Sequence, residues 1–345
     1  MLPEAIVLVV FAGLALVFAL LFAPKSAPRR PLLVRGGAGL AGTIAIAAMP
    51  TFDLAMLVLL ALSVLNAAVA SARPFAIRLR APVFAVVVLA LAGVLARVEG
   101  PDVLDRFAGV GLVAGLAAGI GLLPYLHPLE PEEAVTASPV AWLAFVGPVL
   151  AAALVLRIQL NADGGGAFGV ALIGVGLLNI AWGGLGAWLT ENTVAAWRYS
   201  FIADWGLALC GMGLTVTDGR RGALLVLLTI VLCRLPLYLA SRQALREKAT
   251  TERPINLVVA AALAGSAPFA GFSARILLLR AATQLYWPLA LVLGLGMLMW
   301  LPGSFRLGQS LGSPRGRQAL GVAIALAVNI AVGLYPLPIL EAARL

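Results

Sequence analysis

Apolar runs, each long enough to cross a bilayer at roughly 20 residues, recur along the whole chain between short polar or basic stretches. They fall at about 4–23, 33–49, 53–70, 82–98, 107–126, 139–156, 168–189, 195–214, 223–240, 254–280, 286–301 and 319–335. The runs are continuous rather than alternating, and aromatics are scarce, so the spans are expected to be helices and not barrel strands. The predicted architecture is all-α, with about twelve transmembrane helices. One run, 254–280, is interrupted at its centre by Gly265-Ser266-Ala267-Pro268-Phe269-Ala270-Gly271. Pro268 lacks an amide donor and clashes with the turn before it, so the helix is expected to break there. Arg275 follows Gly271 by four residues. Irregular backbone at membrane depth survives only inside protein or beside a water-filled cavity. A Pro kink with an Arg snorkelling to the interface is the plain alternative.

Composition fixes the class. Of 345 residues, 62% are hydrophobic and only 11% charged, against about 25% charged in soluble domains. The net charge of +9 would raise nucleic acid in a soluble protein. Here the basic residues gather in short loops, which is the positive-inside pattern, so no nucleic-acid partner is expected. The first run has no basic leader and is followed by Lys25, Arg29, Arg30 and Arg35, which predicts an uncleaved first helix with its N-terminus outside. With twelve spans, both termini fall outside, and the loop 241–253 faces the cytoplasm. Cys210 and Cys233 lie in apolar runs and His127 is the single histidine. This ligand set holds no metal or haem, and no cofactor is expected in the chain.

Most runs are free of charge; the exceptions gather after residue 120 as His127, Asp204, Arg234 and Arg275, with polar Asn179 and Asn329. Arg234 stands well inside its run, directly before Leu235-Pro236. A lone Arg at the centre of a span costs about 2.5–3.5 kcal/mol on insertion scales. Asp204, one run earlier, is the nearest carboxylate available to offset it. Two readings follow: a structural Asp204–Arg234 pair, or a hydrated polar axis for protons. Glu130, Glu132 and Glu133 read as a solvated loop.

Four blocks carry a family resemblance. Leu123-Pro124, His127, Pro131-Glu132 and Ser138-Pro139-Val140 with Leu143 form the first. Trp197–Gly206, Cys233-Arg234-Leu235-Pro236-Leu237-Tyr238-Leu239 and Ser266–Arg275 follow in order. Together they resemble the antiporter-like membrane subunits of respiratory complex I (NADH-quinone oxidoreductase), of Mrp-type cation/proton antiporters and of membrane-bound hydrogenases.

The resemblance implies inverted helix repeats, each with a broken helix. It places helix breaks at Pro124, Pro236, Pro268 and Gly271, and a proton or ion path at Arg234, Arg275, Asp204, His127 and Glu132. Arg234 and Arg275 stand where the family has relay lysines, but a guanidinium holds its proton. The family's first-half lysines fall at Gly119 or Ile120, and at Val194 and Ala195.

The implied organisation is 1–100 as helices without family motifs, 101–305 as the antiporter-like core and 306–345 as a loop and last helix. The implied role is a multi-pass subunit of a bacterial inner-membrane assembly. Other membrane subunits and lipid would be its partners, electron transfer would lie in those partners, and the chain alone would not be catalytic. It would contribute to proton or cation translocation, or, as a degenerate member, serve as a non-conducting scaffold. A stand-alone enzyme or transporter built on the 127–133 loop is the remaining reading.

Overall fold

The computed structural model describes residues 3–22, 29–48, 51–69, 74–97, 102–127, 139–160, 166–247, 253–312, 314 and 316–344. These residues are helical with short connections, and no strand occurs among them. Four helices open the chain: α1 (Pro3–Phe22), α2 (Arg29–Ala47), α3 (Phe52–Val69) and the short α4 (Phe75–Arg78). They are followed by α5 (Arg80–Leu95), α6 (Asp102–Ile120), α7 (Pro139–Leu160), α8 (Gly166–Leu189) and α9 (Thr193–Gly213). Next, α10 (Thr217–Thr229) runs through a π-helical turn, Ile230–Arg234, into α11 (Leu235–Glu247). The chain closes with α12 (Pro254–Ala264), α13 (Ala270–Leu285), α14 (Trp287–Leu298), α15 (Trp300–Gln309), α16 (Arg317–Leu334) and α17 (Leu337–Ala342).

The protein is a multi-pass membrane protein, as its composition predicts. Seven helices among the described residues are long and apolar enough to cross a membrane, against the twelve or so expected from the runs alone. The segments 106–120, 254–264 and 318–334 are apolar but shorter.

Burial separates an inner layer from an outer one. The continuous segment Thr217–Arg242 is wholly buried, and Val140–Ile158 nearly so. The outer helices bury less than half of theirs and turn leucine and valine outward, as in α5 and α14. Lipid is as apolar as these side chains, so inner helices meet by close packing rather than by hydrophobic expulsion. The α8–α9 pair shows how. A Cβ on Gly176 would lie 2.7 Å from the Gly206 carbonyl oxygen, and one on Gly183 would lie 2.6 Å from that of Tyr199. The two backbones touch where only glycine fits. Indole groups then tie α9 to its neighbours: Trp205 Nε1 donates to Leu143 O at 3.1 Å and Trp197 Nε1 to Ser310 Oγ at 3.2 Å.

Pro236 was expected to break its helix, but the helix continues through it. Proline removes one amide donor and crowds the carbonyl four residues back. The π-helical turn just before it absorbs this, with Leu235 N–H bonding to Ile230 O, five residues back. Such turns carry one extra residue and occur frequently at functional sites. This one ends on Arg234.

Candidate functional site: two helix breaks and a buried ion pair

The second break stands where the sequence places it, between α12 and α13. Gly265 adopts a left-handed conformation, φ +63°, which costs glycine little. Its amide bonds to Ala262 O at 3.1 Å and the Ser266 amide to Ala261 O at 3.1 Å. These two bonds make a Schellman cap on α12. A cis Ala267–Pro268 peptide follows, and α13 begins at Ala270. The Ala270 amide donates to Asn329 Oδ1 of α16 at 3.0 Å. A Cβ on Gly271 would lie 2.9 Å from the Gly265 Cα, so the two sides of the break nearly touch.

Two guanidinium groups gather at this end of α12. Arg275 Nη1 donates to Ala264 O, and Arg234 Nη2 to Leu263 O at 3.0 Å. These are last-turn carbonyls, at the negative end of the helix dipole, where cations are favoured. Arg234 is only 3% exposed. Its Nε forms an ion pair with Asp204 Oδ2, and its Nη2 also reaches Asp204 Oδ1 at 3.2 Å. This two-point contact is the strong geometry for guanidinium and carboxylate. Both guanidinium groups lie against the Trp300 ring, Arg234 Cζ at 5.3 Å and Arg275 Cζ at 4.7 Å from its centroid. They are therefore within about 10 Å of each other. At the outer limit of that range two like charges repel by about 1.7 kcal/mol at an effective dielectric of about 20, and by more if closer. The helix end, the carboxylate and the indole face offset that repulsion. A small cavity opens among Asp204, Thr229, Cys233, Arg234, Gly265 and Arg275.

A first break interrupts the chain after α6 with the same construction. Gly121 has φ +95°. The Gly121 amide bonds to Ala118 O at 3.2 Å and that of Leu122 to Ala117 O at 2.9 Å. A cis Leu123–Pro124 peptide follows. Here too an asparagine from another helix holds the loop, Asn179 Oδ1 of α8 accepting from Leu123 N at 3.0 Å. Gly121 and Gly265, Leu122 and Ser266, and Pro124 and Pro268 are separated by one constant offset. The side chain laid on the glycine is what differs. At Gly265 it is the Arg275 guanidinium, 2.8 Å from where a Cβ would stand; at Gly121 it is the His127 imidazole, at 2.9 Å. His127 Nδ1 lies 3.5 Å from Asn66 Nδ2 of α3, and Arg198 Nη1 of α9 donates to His127 O at 3.1 Å.

The structure thus brings Asp204, Arg234, Arg275, Pro268 and Gly271 together at one site, and sets His127 and Pro124 at another. Pro236 flanks the first group without breaking its helix. Glu132 lies outside the described residues. The span expected at 107–126 ends earlier, at Ile120, because the break begins at Gly121. Arg35, one of the basic residues named after the first run and part of the run 33–49, lies within α2 and is only 1% exposed. Arg242, assigned to the cytoplasmic loop 241–253, is buried in α11, its Nη1 donating to Tyr238 Oη at 3.3 Å. The sequence reading saw Asn179, Asn329 and Arg198 as polar residues in apolar runs and gave them no partner. It missed Trp300, because a tryptophan in an apolar run looks the same whether it meets lipid or guanidinium.

No family model and no curated protein matches this sequence. Solved structures do. A chain of respiratory complex I from Thermus thermophilus aligns with TM-score 0.72 at 20% identity, covering 99% of this chain and 86% of that one. A chain of the Mrp complex from Dietzia sp. aligns with TM-score 0.75 at 14% identity, over 99% of this chain and 44% of that one. A chain of the membrane-bound sulfane sulfur reductase, an archaeal respiratory membrane complex, aligns with TM-score 0.70 at 18% identity, over 97% and 81%. The protein has the fold these chains share, which agrees with the resemblance read from its four sequence blocks.

Proposed function

From a fold held in common with chains of respiratory and Mrp complexes, we propose that this protein is a membrane subunit of a multisubunit assembly of that kind. In that assembly it contributes to proton or cation translocation across a bacterial inner membrane. The supporting observation is the Asp204–Arg234 pair, with Arg275 beside it, at a broken helix end inside the protein. A charge cluster at a break is expensive to bury, and the resemblance puts relay residues at these positions.

Arg234 and Arg275 keep their protons, so they act as fixed positive charge and not as carriers. Among the residues lining the site, Asp204 is the carboxylate able to take a proton and release it. Opening the pair leaves that carboxylate without its counter-charge in the core, a costly state that proton uptake relieves. Movement of Arg234 on the π-helical turn would then couple to protonation of Asp204. Electron transfer, if the assembly performs it, belongs to partner chains.

A second reading, the non-conducting scaffold, is favoured by one observation. Both guanidinium groups already cap helix carbonyls, as a purely structural clamp would. Purification with neighbouring chains, followed by reconstitution in vesicles, separates the two. Translocation by the assembly, reduced at least about tenfold in Asp204→Asn and Arg275→Ala while subunit composition is unchanged, supports the conducting role. Normal translocation in both variants assigns the scaffold. A chain that purifies alone, with no membrane partners, overturns the subunit reading itself.

A further inference from the structure

The cavity at the second break has an unbalanced lining. Two guanidinium groups border it, and Asp204 is the single carboxylate among the described lining residues. That carboxylate is already engaged by Arg234 through Nε and Nη2. The carbonyls of Leu263 and Ala264 are each taken by one guanidinium. Arg234 Nη1 is buried and donates to no acceptor among the described residues, although Arg234 lines the cavity. The first turn of α13 opens on the same space through Gly271, its Ala270 amide being taken by Asn329 Oδ1. Donors and positive charge are in excess there, and acceptors are short. A divalent or alkali cation has nothing to bind. A water molecule could accept from Nη1 but brings no charge.

We infer that this cavity is a binding site for a small monovalent anion of about chloride size. Arg234 Nη1 and the Arg275 guanidinium supply the charge, and the N-terminal turn of α13 supplies the positive end of a helix dipole. The anion closes the charge balance at two cations against two anions. It also gives the orphaned Nη1 its acceptor, which a buried donor requires. The lining carries one excess positive charge, which a monovalent halide balances and divalent sulfate overshoots, and it offers few free acceptors for the hydroxyls of gluconate. This inference rests on the charge and geometry of the site and holds for a conducting subunit and a scaffold alike.

The test uses the protein in its purified assembly, equilibrated in gluconate and titrated with chloride or bromide at constant ionic strength. The expected result is a saturable rise in the unfolding midpoint with either halide, absent with sulfate and absent in Arg275→Gln, since an anion that binds only the folded state stabilises it. Anomalous scattering from crystals grown in bromide provides a second measurement that needs no variant. It should place one bromide between Arg234 and Arg275. A midpoint indifferent to halide, a rise unchanged in Arg275→Gln, a water molecule alone at the site, or a carboxylate from a partner subunit filling it would each overturn the inference.

Discussion

The two helix breaks are built alike and charged differently. Each has a left-handed glycine, a Schellman cap, a following Xaa–Pro peptide and an asparagine reaching in from another helix. At Gly265 the break is covered by a guanidinium that belongs to a cluster with Arg234, Asp204 and Trp300. At Gly121 it is covered by an imidazole, and the neighbouring Arg198 is spent on a backbone carbonyl. The construction of a break therefore does not depend on charge. Backbone hydrogen bonds and one asparagine hold each break, and the guanidinium–carboxylate cluster is a separate addition, found at the second break.

The largest expected effect tests that separation. Removing one partner of a buried ion pair leaves an uncompensated charge and costs about 3–5 kcal/mol. Asp204→Asn or Arg234→Met should therefore sharply lower the thermal unfolding midpoint of the assembled protein. The double variant Asp204→Leu/Arg234→Leu should recover most of that loss. Arg198→Met at the first break forfeits a charge-assisted bond to a carbonyl, worth about 1.5–3 kcal/mol, so its loss should be the smaller. Equal losses at the two sites would erase the distinction between them.

Smaller effects should be shared by the two breaks. Gly121→Ala and Gly265→Ala each force a side chain into a left-handed conformation, which costs about 1–3 kcal/mol. Each also displaces the ring or guanidinium above it, so both variants should lose stability in unfolding measurements. Asn179→Leu and Asn329→Leu leave the Leu123 or Ala270 amide without its acceptor, at about 1–3 kcal/mol each, and should lower the exchange protection of the helices they hold to a similar extent at the two breaks. Trp300→Leu removes the aromatic face beneath two cations. Its cost of about 0.5–2 kcal/mol should fall to near zero in an Arg234→Met/Arg275→Met background, measured as a double-mutant cycle.

The second break was legible because the stretch Gly265–Gly271 sets two glycines, a serine and a proline within seven residues of an otherwise apolar run. The first was masked in the hydropathy pattern, since Leu122 and Leu123 keep the run apolar across Gly121, and only the resemblance placed a break at Pro124. The partner of Arg234 could be named because a charge deep in an apolar run needs one, and few carboxylates were available. Arg35 fell inside the run 33–49, but its burial was not legible, because hydropathy does not show which face of a helix an arginine takes. The count of spans departs from the helices because breaks divide runs, and because a charged inner helix such as α9, nearly all buried in protein, need not be apolar enough to face lipid.

The claim that the side chain laid on the glycine is functional at one break and dispensable at the other is tested most directly by translocation itself. In the reconstituted assembly, the initial proton-translocation rate would be compared for Arg275→Gln and His127→Gln, with subunit composition confirmed for each. The account predicts a loss of at least about tenfold for Arg275→Gln and a rate close to that of the unaltered protein for His127→Gln. A silent Arg275→Gln, or a His127→Gln variant that stops translocation while Arg275→Gln sustains it, would contradict it.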